Sequence, residues 1–248
     1  MKKFYDKNQI VFTISLIVLY VVGSSIMGSI SDLAVTIFHA LLSVLLIAWC
    51  GKNKLNEDIG LCKPKIHAKS MLFYIPLLLV ASSSIWGGIE IKYGTTESAL
   101  YVISMLFVGI LEEVIFRGFL FSAMAKDNIK SAVIVSSVTF GIGHIINLLS
   151  GAELISTLCQ IVCATAIGFL FVIVFIKTKS ILPCIVAHSA VNMLSVVEAN
   201  VEPKTTIIIS VLVSIVAITS TIIYNKHIRP DTIKENDHNL SRNVSGDD

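Results

Sequence analysis

Long apolar runs alternate with short polar breaks along almost the whole chain. They lie near residues 10–29, 33–50, 71–89, 99–125, 131–149, 155–176, 181–198 and 205–224, and a helix needs about 20 apolar residues to cross the hydrocarbon core of a bilayer. The runs are too long for core strands, and they lack the period-two alternation of a transmembrane barrel. In lipid, open strand edges and loops leave backbone N–H and C=O groups unpaired, so helices must be the spanning elements. The pattern predicts an all-α fold, a polytopic transmembrane helical bundle of about eight spans, in a single membrane domain over 1–225. From about Lys226 the chain turns polar, through Lys234-Glu235-Asn236-Asp237-His238-Asn239, and 226–248 reads as a disordered cytosolic tail.

Composition and charge sharpen this picture. Of 248 residues, 54% are hydrophobic and 15% charged, where soluble domains carry about 25% charged residues. Lys and Arg collect on the cytoplasmic side of a membrane. With the N-terminus inside, Lys2, Lys3 and Lys7 fall inside, as do Lys52, Lys54, Lys63, Lys65 and Lys69 after the second span. Lys126, Lys130, Lys177 and Lys179 fall in later inside loops, and Lys226, Arg229, Lys234 and Arg242 in the tail. Only Lys92 and Lys204 fall outside, which predicts that both termini are cytoplasmic. The same bias accounts for the net charge of +2, so no nucleic-acid partner is implied. The loop from Lys52 to Lys69 is placed to meet anionic lipid head groups.

The first apolar run is too long for the core of a signal peptide, despite Gly23-Ser24-Ser25, and is expected to be a retained anchor. The cysteines Cys50, Cys62, Cys159, Cys163 and Cys184 are odd in number and show no disulfide spacing. Cys159 and Cys163 share one helical face and read as small packing residues.

One basic residue, Arg117, sits inside a span, and it has company. The run 99–125 is broken by Glu112, Glu113 and Arg117, each costing about 2.5 to 3.5 kcal/mol at mid-bilayer. The Leu, Ile, Phe and Val residues of 101–121 contribute only about 0.3 to 0.6 kcal/mol each, so the helix is marginal unless its charges pair. Glu113 and Arg117 are spaced i, i+4 with the acid first, which brings them together on a helix surface. Glu112 points about 100° further round, which leaves it free of that pairing. The next span carries Phe140 and His144, and the seventh carries His188 and Asn192, each pair four apart on one face. His39, in the second span, has no partner of the catalytic kind in its own helix and reads as a packing or hydrogen-bonding residue.

Glu112, His144, His188 and Asn192 supply what peptide hydrolysis requires. A buried carboxylate can take a proton from water, and an imidazole can hold that water or move the proton. His188 and Asn192 can donate to the oxygen that turns negative in a tetrahedral intermediate. Ser189 and Ser195 lack the spacing of an activated nucleophile. Buried Glu and His also build proton relays, so a proton-coupled transporter is a further reading, although no internal repeat supports it.

At these residues the chain resembles the CAAX-protease and bacteriocin-processing family of intramembrane endopeptidases, also called the Abi family. Glu112-Glu113-Val114-Ile115-Phe116-Arg117-Gly118 resembles its E-E-x-x-x-R motif. Phe140-Gly141-Ile142-Gly143-His144 resembles F-x-x-x-H, and His188-Ser189-Ala190-Val191-Asn192 resembles H-x-x-x-N. The likeness covers about 95–198, with Ile59-Gly60-Leu61 a faint further echo. It implies that Glu112 is the principal base aided by His144, that Glu113 and Arg117 stabilise the site with Phe140 beside them, and that His188 and Asn192 form the oxyanion site. It implies a peptide or lipid-modified protein as substrate and a place in the bacterial plasma membrane. Members are often metalloproteases. The H-E-x-x-H helix is absent, and a Zn2+ site of Glu112, His144 and His188 stays open. Similar bacterial sequences are tied to bacteriocin self-immunity, with or without proteolysis, which is the alternative function.

Overall fold

The computed structural model describes residues 1–65 and 74–227. Lys69, the start of the run at 71–89 and the tail from 228 onward lie outside the described residues. The described residues contain ten α-helices: α1 (Lys2–Lys7), α2 (Gln9–Ile30), α3 (Asp32–Lys52), α4 (Ile75–Ser82), α5 (Thr95–Glu113), α6 (Ser122–Ala125), α7 (Ile129–Gly143), α8 (Leu154–Thr178), α9 (Leu182–Leu194) and α10 (Pro203–His227). Among the described residues the only β-type pairing outside helices is a single bridge between Ile89 and Glu198. The chain is an all-α, multi-pass integral membrane protein, as the hydrophobic pattern predicts.

Helix starts follow from local chemistry, because the first amides of a helix lack intrahelical partners. Asn8 accepts from the Val11 amide at 3.0 Å, Ser31 from Ala34 at 3.1 Å and Asn128 from Ser131 at 3.0 Å. Glu153 closes α8 by accepting from Ser156 at 2.7 Å. The Ser156 and Ile155 amides hold its carboxyl below the usual range.

Each of the eight apolar runs contains a helix among the described residues, but the helices are not equal in length. Six helices among the described residues are long and apolar enough to cross a membrane: Gln9–Ile30, Asp32–Lys52, Thr95–Ala125, Ile129–Leu149, Leu154–Thr178 and Pro203–Lys226. The other two, Ile75–Ile85 and Leu182–Val197, are shorter, about 17 and 24 Å at 1.5 Å per residue, against a core of about 30 Å. The first ends ahead of Gly87-Gly88, where Gly88 takes a φ of +116°. The second begins just after a left-handed turn at Lys179, φ +56°, where the chain meets the segment 60–65. There Lys65 donates its amide to Thr178 at 2.8 Å, Ile181 to Gly60 at 2.9 Å, and the Ser180 hydroxyl to the Cys62 carbonyl. This strap satisfies backbone groups that lipid could not. The two short helices pack on each other, and the connections that follow them are zipped by Glu90 N–H to Val197 O at 2.9 Å and Lys92 Nζ to Asn200 Oδ1 at 3.0 Å.

The centre of the bundle is α5 and its continuation, which α3, α9, α2 and α7 all touch. That continuation, Val114–Phe121, is π-helical and fully buried. A π turn bonds i to i+5 and is frequent at functional sites. Its loosened carbonyls find side chains, since Ser136 Oγ donates to Phe116 O at 2.8 Å and Ser122 Oγ lies 3.4 Å from Arg117 O. An aromatic group of Tyr5, Phe12, Trp49 and Phe119 closes one end, with ring centroids 5.3 to 6.3 Å apart. All five cysteines are free.

Without a hydrophobic drive between helices, close approach at small residues sets the packing. At Gly109 of α5 a Cβ would strike the Ser189 hydroxyl of α9 and come within 2.7 Å of its amide nitrogen. At Gly141 of α7 a Cβ would strike Thr165 and approach the Ile161 carbonyl of α8 to 2.7 Å. We expect Gly109→Ala to destabilise the protein by about 1 to 3 kcal/mol through overpacking. Gly28→Ala, where open space surrounds the position, should be neutral or stabilising. Thermal unfolding in detergent checks this, and equal melting temperatures for the two variants would sink the close-approach account.

Candidate active site

The π-helical turn follows directly on Glu112 and Glu113, and the charges around it are ordered by one ion pair. Arg117 Nη1 donates to Glu113 Oε1 at 2.9 Å, and both side chains are fully buried. The same Glu113 oxygen receives His188 Nδ1 at 2.9 Å. A carboxylate accepts only, so Nδ1 carries the proton and Nε2 is the nitrogen left for chemistry. Nε2 faces Glu112 Oε2 at 3.6 Å. The other Glu112 oxygen, Oε1, accepts from the Tyr20 hydroxyl at 2.8 Å.

Arg117 Nε and Nη2 have no oxygen acceptor among the described residues. Aromatic faces take their place. The guanidinium carbon lies 4.1 Å from the centre of the Phe140 ring and 5.5 Å from that of Phe171, geometry that stabilises a desolvated cation. Phe140 is thus the hub of the site. Besides Arg117, it meets His144, His188 and Phe116 edge to face at 5.6, 5.4 and 5.5 Å.

The structure therefore brings Glu112, Glu113, Arg117, Phe140, His144 and His188 together around one ring. His144 sits where α7 gives way to a 3-10 turn (His144–Ser150), half-buried and within Coulombic reach of Glu112. Asn192 lies one turn beyond His188 on α9, half-buried, and its side chain forms no hydrogen bond with the described residues. Burial divides the set. Glu113 and Arg117 are sealed, while the Glu112 side chain is 13% exposed. The faint echo at Ile59-Gly60-Leu61 also belongs here structurally, since Ile59 packs 3.3 Å from where a Cβ on Gly118 would stand.

Two features differ from what spacing alone suggests. Glu112 escapes Arg117 but is not free, because Tyr20 holds it. Glu113 does more than neutralise Arg117, because it also fixes His188. The signal for Tyr20 was present as a phenol inside an apolar run, since a buried Tyr O–H usually finds a partner. Ser189 donates to Leu106 O at 3.1 Å and Ser195 Oγ to Asn192 O at 2.6 Å, which leaves neither poised as a nucleophile. His39 bridges Ser24 at 2.9 Å and Ser104 at 2.8 Å as a hydrogen-bonding residue.

The three donors considered for zinc do not close a site in this arrangement. Glu112 Oε2 and His188 Nε2 at 3.6 Å could share an ion, but among the described residues no third His, Cys, Asp or Glu converges with them. A catalytic zinc takes three protein ligands.

Fold and site together define a multi-pass membrane protein with a carboxylate–imidazole centre buried among its helices. Residues 94–194, which carry that centre's motifs, match the family model of the type II CAAX prenyl endopeptidase Rce1-like proteins. The Bacillus subtilis (strain 168) protein named Putative membrane peptidase YdiL is 35% identical over 105 residues, a stretch covering 42% of this chain and 38% of that protein. The similarity thus spans well under half the length of that relative. No solved structure matches the chain.

Arg117→Met should cost about 3 to 5 kcal/mol, since it leaves Glu113 as an uncompensated buried charge. Adding Glu113→Gln, which keeps an acceptor for His188, should recover most of that loss. Unfolding of the single and double variants reads this directly, and a double variant no more stable than Arg117→Met would show that the pair is not what the bundle depends on.

Proposed function

We propose that this protein is an intramembrane endopeptidase that hydrolyses a peptide bond with water activated by Glu112. The observation that carries the reading is the division of labour around His188. A sealed Glu113–Arg117 pair sets its tautomer, and Nε2 faces the partly open Glu112 carboxylate. Such an arrangement of oriented imidazole and accessible base is what acyl transfer to water needs. The Rce1-like match over 94–194 and the peptidase name of the Bacillus relative support the same class.

In the reaction, Glu112 takes a proton as water adds to the carbonyl carbon. His144, half-buried beside Phe140, holds or relays that water. The oxygen of the tetrahedral intermediate becomes negative and receives hydrogen bonds from Asn192 and from His188. Glu112 then passes its proton to the nitrogen as the C–N bond breaks, releasing an acid and an amine. Each step uses groups of the chain and one water. The substrate is a peptide bond presented at the membrane, either near a prenylated C-terminus of the CAAX type or in a bacterial peptide or leader.

Glu112→Gln should lower cleavage of a reconstituted prenylated CAAX peptide or of a membrane peptide by about 10²-fold or more, with insertion and abundance unchanged. A fully active Glu112→Gln protein would remove the mechanism. Activity should also persist after chelation, in protein with little bound metal. Near-stoichiometric zinc together with chelator-sensitive cleavage would replace direct activation of water by Glu112 with metal chemistry.

A further inference from the structure

We propose that Tyr20 is a positioning residue for Glu112, so that the N-terminal helices α2 and α3 complete a site whose motifs all lie in later helices. The inference rests on the reading of Glu112 as the base. Tyr20 donates to Glu112 Oε1 at 2.8 Å across 92 positions of sequence, and it lies outside the matched segment 94–194.

The phenol is held from behind. Its ring centroid stands 5.8 Å from that of His39, and His39, 4% exposed, is pinned at both nitrogens. The protons can be assigned. Ser24 has one hydroxyl proton, and it goes to the Tyr20 carbonyl at 2.6 Å. The Ser24 oxygen therefore accepts from His39 Nε2–H, and Ser104 donates to Nδ1. His39 is thus a satisfied neutral ring that backs Tyr20, with Ser24 tying the same helix turn to it.

A glutamate is free to rotate about its last torsion, which has broad and roughly two-fold preferences. With Oε1 committed to Tyr20, that rotation stops and Oε2 is the oxygen presented toward His188 Nε2. The hydrogen bond also separates the roles of the two oxygens, one anchored and one reactive. Catalytic groups need this kind of fixation, because small misplacements cost large factors in rate. The position of α2 against the π-helical turn supplies the rigid platform from which Tyr20 reaches the carboxylate.

The test compares the full-length protein with Tyr20→Phe, which keeps the ring and removes only the hydroxyl. Infrared difference spectra against Glu112→Gln isolate the Glu112 carboxyl band. In Tyr20→Phe that band should shift. Peptide cleavage should show kcat reduced about 10- to 100-fold, the range expected for loss of a hydrogen bond to a charged group. KM should stay within about two-fold and the melting temperature should hardly change, whereas a purely structural role would move the melting temperature instead. An unshifted Glu112 band overturns the proposal, as does an unchanged kcat. The infrared arm needs no substrate, so an inactive wild-type protein whose band still shifts would count against the peptidase reading and in favour of the Tyr20 contact.

Discussion

Everything at the centre of this bundle depends on the pairing of Arg117 with Glu113. Three ionisable side chains within two turns of one helix would make that span marginal in lipid. The ion pair at 2.9 Å offsets part of the cost, but one contact cannot satisfy a guanidinium with five N–H groups. The remainder is met by surroundings contributed from elsewhere. Phe140 of α7 and Phe171 of α8 cover the cation, and His188 of α9 shares the acid. A charge that could not be buried alone thereby obliges three other helices to meet α5 at one depth. The same requirement that keeps the fold specific also assembles the cluster proposed to carry the chemistry.

That constraint separates the site into a dry half and an approachable half. Glu113 and Arg117 have no access to solvent, and Glu113 also holds His188 through Nδ1. Glu112, adjacent in sequence but turned away by the helix, keeps some exposure. Two neighbouring glutamates thus acquire different surroundings from the 100° between successive helical residues. The π-helical turn just beyond them shifts the register of Arg117 relative to an ordinary helix and leaves carbonyls for Ser136 and Ser122 to satisfy.

Much of this is legible in the sequence where the determinants are local. Apolar runs mark every long helix to within a few residues, and the i, i+4 spacing identifies the Glu113–Arg117 pair. What spacing cannot reveal is who stands opposite. The bond from His188 to Glu113 joins residues 75 apart and that from Tyr20 to Glu112 joins residues 92 apart, and no local periodicity encodes either. Of the runs at 71–89 and 181–198, the described helices cover only Ile75–Ile85 and Leu182–Val197, and the connections that follow them pair with each other through Glu90 and Val197, which no local pattern encodes. The π turn is likewise invisible, since its residues pattern like any apolar helix.

The small residues inside and near the motifs explain why these distant contacts form reliably. Gly109 precedes Glu113 by one helical turn on the same face of α5, and Ser189 adjoins His188 on α9. The close approach of Gly109 to Ser189 therefore lands one turn from the bond between Glu113 and His188. Gly141 plays the corresponding part beside Phe140, seating α7 against Thr165 of α8, the helix that brings Phe171 to the other side of Arg117. Polar contacts in a membrane contribute modestly because the separated helices also find partners. Backbone proximity at glycine must then supply the precision that hydrogen bonds alone would not, and a motif written as charged and aromatic residues works only on helices that can come this close.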